Sequence, residues 1–480
     1  MKNSLPRFHL ALVLAFCCPV HDEAQASGAT WNDQTEERIT SLAVKWWLAR
    51  PATRFEEWDV EKRARLTAMA RELGELPEGK LERVVELLWE PVATLGPGIP
   101  KVEVSGSKRG QLKARRPKWM PAAAKRRRKN KTTAVLDTPA GEAWFYADDP
   151  GGAQTGLILG LHGDGVGADE PRGIWRSSEL VGFYPQEVFE AEDSWNTVRG
   201  ERFLLTLLEV AKAHYGVDPD RIFVMGSGMG GTGSWFMAGR HADLFAGAAP
   251  CAGVLIASPK SQVASKGEVR AVQHGLIPNV RNLAMYYYIG LDDSVCMPGT
   301  YLFVADRLAQ MRAEDRGGYE LIRFRAHENL DHFHPPGEPE ALLDWLPKQL
   351  RDTFPETVVW EATTDPFPQP EAGGRVERIP KSMFYWIGCA APEDRQLIRA
   401  SIDKTKNRII LDVKRRSTGT KGITLYLNPQ MIHVSRTVTV TDAGGKELYS
   451  GKPTPDLWTV LQTLDARVDR RMVFDRRIEL

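Results

Sequence analysis

The chain has 480 residues, of which 42% are hydrophobic and 26% charged, and a formal net charge of +1. This length admits two or three domains of ordinary globular composition, and the balanced charge offers no global field toward a polyanionic partner. Its five cysteines, Cys17, Cys18, Cys251, Cys296 and Cys389, are too few and too scattered for a disulfide framework or a CxxC metal site.

At the start, Lys2 and Arg7 precede the apolar run "HLALVLAFCCPV", and "AQAS" then supplies small residues at Ala24 and Ala26. That is the layout of a secretory signal peptide over 1–26, cleaved after Ala26, so an exported protein (periplasmic, cell-surface or extracellular) is expected. No later segment reaches the ~20 apolar residues that span a bilayer.

Residues 27–100 read as helical. Leu66, Met69, Leu73 and Leu76 recur at helical spacing, as do Leu81, Val84, Val85 and Leu88. Trp46, Trp47, Trp58 and Trp89 give this segment a large apolar surface to bury, which suits a cap on the rest of the protein. The following stretch, 101–131, contains "KRGQLKARRPKWMPAAAKRRRKNK", with twelve Lys or Arg and no acid. It reads either as a self-repelling linker or as an attachment to an anionic surface. Trp119 alone is interleaved, too little stacking surface for specific nucleic-acid binding.

From 132 to 352 strands and helices alternate. "TTAVLDT" and "EAWFYA" form a hairpin pattern, and "TGLILGLHG" is a continuous apolar run of the kind buried in a parallel sheet. "ERFLLTLLEVAKAHYG" is an amphipathic helix, with Phe203, Leu204, Leu207, Leu208 and Ala211 on its apolar side. The strands "RIFVM", "FAGAAPCAGV", "LAMYYYIG" and "YELIRFRA" follow, with helices near 301–311 and after "PPGEPE". The pattern predicts an α/β fold with a doubly wound, mostly parallel sheet. Over 353–480, "SMFYWIGC", "LIRASID", "RIILDVK", "GITLYLN" and "RTVTVTD" predict a small β-domain, a sandwich, with a helix at "DLWTVLQTL".

The chemistry concentrates in four places. "RIFVMGSGMGGTGSW" carries a strand into a glycine-dense turn and a helix. The nucleophile-elbow pattern G-x-S-x-G falls here with Gly226 and Gly230 as its flanks, so its middle position is Gly228 and the turn's serine, Ser227, stands one place early. "LHGDGVG" after the buried strand is a glycine-rich loop of the kind that aims backbone N–H groups at an oxyanion; Gly163, Asp164 and Met229 are the candidate donors. "YIGLDDSVCMP" places Asp292 and Asp293 at a strand end, where an acid can orient a histidine. "AHENLDHFHPPGEPE" supplies His327, His332 and His334; their H-x4-H-x-H spacing matches no common zinc motif, and one base with two bystanders is expected. No metal or cofactor is implied. Cys251 and Cys296 are further nucleophiles by residue type only.

The order 228, 293, 332 is nucleophile, acid, base as in α/β-hydrolases. Residues 132–352 resemble that superfamily, in particular its prolyl-oligopeptidase and polyhydroxybutyrate-depolymerase-like esterase branch. "DPDRIFVMGSGMGGTGSW" is similar to the branch's elbow, "AAPCAGV" to the apolar segment one strand later, "GLDD" to its Gly-x-x-Asp and "DHFHPP" to its final histidine loop. The resemblance implies Asp293 as the acid, His332 as the base and a small ester or peptide-like ligand. It departs where a serine would stand, at Gly228. Three readings follow: a relative that has lost acyl transfer but kept its binding site, an active esterase or peptidase using Ser227 or another nucleophile, or a surface-associated protein working through the basic stretch and the β-domain.

Overall fold

The computed structural model describes residues 31–50, 60–74, 76–95, 103–105, 133–138, 141–151, 155–186, 195–253, 276–296, 298–362, 378 and 380–480. The signal-peptide reading, Trp58 and the basic stretch 108–131 fall outside these described residues.

Three helices come first: α1 (Asp33–Ala49), α2 (Val60–Glu72) and α3 (Leu81–Leu95). Asn32 caps α1 by accepting the Thr35 N–H on its side chain, as a short polar residue at a helix start does. Trp46 and Trp47 are buried, the Trp47 indole donates to the Leu88 carbonyl at 2.8 Å, and Trp46 meets Trp458 edge-on at 5.8 Å. Arg50, just past α1, holds Glu209 at 2.7 Å and Asp465 at 3.1 Å.

The central sheet has nine strands in the order β1-β2-β3-β5-β4-β6-β7-β8-β9. They are β1 (Glu103–Ser105), β2 (Thr133–Thr138), β3 (Gly141–Asp148), β4 (Leu157–Leu161), β5 (Val181–Pro185), β6 (Ile222–Ser227), β7 (Gly247–Cys251), β8 (Ala284–Gly290) and β9 (Ile322–His327). From β5 to β9 every pairing is parallel; the β1–β2, β2–β3 and β3–β5 pairings are antiparallel. The fold is therefore α/β with a mostly parallel sheet, as the alternation predicts. β4, β7 and β8 are buried along their whole length, which is why they read as unbroken apolar runs. The helices of this part are α4 (Asp169–Ile174), α5 (Val198–His214), α6 (Met229–Arg240), α7 (Pro298–Glu314) and α8 (Glu338–Trp345).

Two features differ from the sequence pattern. β5 is a fully buried strand that its Gly182 and Pro185 disguise as a turn. α5 is buried almost all round rather than on one side. The cause is visible in its polar residues, since Glu209 meets Arg50 and Lys212 donates to the Arg467 carbonyl at 2.6 Å. Helical and C-terminal segments cover the face that a lone amphipathic helix would leave in water.

The C-terminal part contains β10 (Thr357–Glu361), β11 (Met383–Phe384), β12 (Ile387–Cys389), β13 (Leu397–Asp403), β14 (Arg408–Lys414), β15 (Ile423–Leu427), β16 (Val438–Asp442), β17 (Glu447–Gly451), α9 (Leu457–Arg467) and β18 (Arg476–Glu479). The strands form two sheets, β10-β13-β14-β16-β17 and β11-β12-β15-β18. β13 alternates strictly, with Ile398, Ala400 and Ile402 buried opposite Val413, Leu411 and Ile409 of β14. These residues share one core with Ile387, Ile423 and Leu425 of the second sheet. Among the described residues no helix is long and apolar enough to cross a membrane.

Candidate active site

The turn after β6 is built by its glycines. Gly228 lies at φ 56°, ψ −120°, a conformation that L side chains rarely adopt, and α6 begins at the next residue. A Cβ on Gly226 would lie 2.6 Å from the Gly230 carbonyl, and one on Gly230 would run into the carbonyls of Leu161 and His162 at the end of β4. Both flanks must therefore be glycine for β4, β6 and α6 to approach this closely. At Gly228 the surroundings are different: an added Cβ would point at His332, 3.0 Å from Nε2 and 3.5 Å from Cε1. Position 228, not 227, faces the imidazole. Ser227 ends β6, paired in register with Cys251, and makes no hydrogen bond to His332.

His332 comes to this place through a loop tied to the end of β8. The Leu291 N–H donates to the His327 carbonyl at 2.8 Å and the Asp292 N–H to the Leu330 carbonyl at 3.0 Å. Gly290 admits that loop, since a Cβ there would meet the Leu330 and Asp331 carbonyls. Asp331 accepts from the Ser294 N–H (2.9 Å), the Ser294 hydroxyl (3.0 Å) and the His332 N–H (2.8 Å), and these bonds hold its carboxyl below the usual range.

Asp293 faces His332 Nδ1 through Oδ2 at 2.9 Å. Its other oxygen accepts the N–H groups of Val295 (2.9 Å) and Cys296 (2.7 Å). The Asp293 side chain is 0% exposed and that of His332 29%, so the acid is sealed off while the imidazole reaches the surface. With Asp293 accepting on both oxygens, Nδ1 faces the acid and Nε2 is the ring nitrogen turned toward Gly228. Asp292, its neighbour, is exposed and takes no part.

The other histidines lie outside this pair. His334 bonds the Tyr288 hydroxyl through Nδ1 and packs edge-on against Trp175 at 5.4 Å. His327 lies 3.5 Å from Glu338. One grouping of potential ligand atoms occurs among the described residues, Asp293, Cys296 and His332, within 4.8 Å of one another. It differs from the three-histidine set, and Asp293 in it is already committed to hydrogen bonds on both oxygens. Burial pushes the Cys296 thiol up to about 12 and raises that of Cys251 further. Neither has the thiolate character of a nucleophile.

The loop after β4 brings the one site residue that the sequence did not suggest. The Gly163 N–H donates to Oε2 of Glu170, on α4, at 2.9 Å. Burial raises the Glu170 carboxyl above its usual range despite this bond and despite the nearby charge of His332. Asp164 is exposed. The Met229 N–H, at the first position of α6, has no acceptor among the described residues. In the sequence Glu170 is only an acid in "GADEPRG", with nothing to single it out.

No protein-family model and no curated protein matches the chain. Solved structures similar to it include a thermostable esterase, at 20% identity and TM-score 0.35 over 45% of this chain. An S-formylglutathione hydrolase from Staphylococcus aureus is 14% identical over 45% of this chain and 98% of its own, with a TM-score of 0.36. An acylaminoacyl peptidase from Pyrococcus horikoshii is 14% identical over 45% of this chain, also with a TM-score of 0.36. The chain spans 62% of the length of the esterase and 41% of that of the peptidase.

Proposed function

We propose that residues 132–352 are an α/β-hydrolase-type domain of the esterase and peptidase class whose nucleophile position is Gly228, and that its remaining site binds a small ester or peptide-like ligand without forming an acyl-enzyme. One observation carries the reading: the Cβ position of residue 228 lies 3.0 Å from His332 Nε2, while Nδ1 of the same ring is 2.9 Å from Asp293. In acyl transfer the base takes a proton from a side-chain nucleophile and the acid fixes the tautomer of the base. Here base and acid are in register with a residue that has nothing to deprotonate. Ser227 is a poor substitute, because its neighbour 228 is the residue held out of the strand toward the imidazole.

The test is labelling with a fluorophosphonate probe, which reacts with activated serines. The wild-type protein is expected to stay unlabelled, Gly228→Ser to become labelled, and the added His332→Ala to remove the label. Wild-type labelling lost in Ser227→Ala would make Ser227 the nucleophile and overturn the reading. We also infer, from the layout of residues 1–26 alone, that the protein is exported.

A further inference from the structure

We propose that the opening over Gly228 takes a ligand carrying a protonated amine on an apolar stem, held between the Glu170 carboxylate and His332 Nε2; this rests on the dyad reading above. At the place where an esterase offers N–H donors to a developing negative charge, one candidate donor here faces a carboxylate. Glu170 Oε2 sits on the Gly163 N–H at 2.9 Å and so fills one donor position with a carboxylate. A Cβ at Gly163 would lie 3.7 Å from the other oxygen of Glu170 and 3.4 Å from the Ser227 carbonyl, so the carboxylate borders the turn that presents Gly228. Nε2 of His332 borders the same turn, 3.0 Å from the Cβ position of residue 228.

Among the described residues the Gly163 N–H is the only hydrogen-bond partner of the Glu170 side chain, and no Lys or Arg pairs with it. Its basic helix neighbour Arg172 is taken by Asp148 at 2.6 Å. A half-buried carboxylate with one hydrogen bond and no Lys or Arg beside it gains from a cation that supplies several N–H donors. An oxyanion or a ligand carboxylate would instead be repelled from it. An apolar side chain adjoins the carboxylate: Val166, 50% exposed, reaches within 3.5 Å of the Gly163 Cβ position. An ammonium head on a hydrocarbon stem satisfies both features.

The experiment is a titration of the full protein with n-butylammonium, n-butyrate and n-butanol at matched ionic strength, at about pH 8, where the amine stays protonated. The readout is the ring NMR signal of His332, assigned by its loss in His332→Gln. Butylammonium is expected to shift this signal along a saturating curve, with no shift from butyrate or butanol. Glu170→Gln is expected to weaken amine binding by roughly tenfold or more, as loss of a charge-assisted hydrogen bond implies. Unchanged His162 and His334 signals in that variant show that the fold is intact. Equal shifts by butyrate, or amine binding indifferent to Glu170→Gln, would overturn the proposal. Failure of the dyad reading has its own signature, a Gly228→Ser protein that fluorophosphonate leaves unlabelled.

Discussion

Gly228 and His332 compete for one space. The imidazole stands where a side chain at 228 would begin, so the ring must yield by a few tenths of an ångström before anything larger than glycine fits. It can do so, because its loop is partly exposed. Serine at 228 also inherits a backbone at φ 56° that only glycine takes without strain. Gly228→Ser is therefore expected to cost about 1–3 kcal/mol of stability in urea denaturation. It is also expected to gain turnover of p-nitrophenyl acetate that His332→Ala abolishes and Asp293→Asn reduces. Turnover independent of His332 would place the chemistry elsewhere.

A second block sits at Glu170. While its carboxylate holds the Gly163 N–H, that donor is withdrawn and the Asp164 and Met229 N–H groups are left for an oxyanion. Gly228→Ser combined with Glu170→Ala is expected to exceed Gly228→Ser alone in kcat, by at most about 10²–10³-fold, the worth of one oxyanion donor. Steady-state kinetics of the two variants decides this, and equal rates would remove Gly163 from the site.

Arg351 joins Asp220 and Asp469, each at 2.7 Å, with its own side chain 1% exposed. Arg351→Met leaves Asp469 buried without this partner and is expected to cost about 3–5 kcal/mol at neutral pH. Burial opposes the charge of Asp469, but Arg351 and Lys212 outweigh it and hold the carboxyl at about 2, against 3.8 for an ordinary aspartate. A depressed folded-state value means that the unfolded chain binds the proton first. The stabilisation from Asp469 is thus complete above 3.8 and lost as the pH falls through about 2. The gap in urea midpoint between wild type and Arg351→Met should narrow over that window. A gap that is constant with pH would mean that Asp469 is not the group responsible.

Export has a direct readout. Intact-mass measurement of protein made in an exporting host should find a chain beginning near Ser27. A species that keeps Met1 would remove the signal-peptide assignment.

What the sequence exposed and what it hid have physical reasons. Buried parallel strands such as β4 and β8 announce themselves because both of their faces must be apolar. β5 did not, since its glycine and proline carry the signal of a turn. β10, β17 and β18 also went unread, and "SMFYWIGC" folds back on itself as the β11–β12 hairpin rather than running straight. At the site, the Gly226 and Gly230 flanks were legible because close backbone approach leaves only glycine. Asp293 could be preferred over Asp292 only through resemblance; the structure brings Asp293 to His332 and leaves Asp292 exposed. Glu170 was invisible, because a first-turn acid looks the same whether it faces water or the Gly163 N–H.

Arg50 bears on how the molecule comes apart. Its guanidinium spans Glu209 of α5 and Asp465 of α9, so one cation from the end of the first helix neutralises an acid in each of the two later parts. Peeling the leading helices away would take this cation from both carboxylates and wet the back of α5. The helices are thus no detachable appendage, and melting should proceed as a single event rather than region by region.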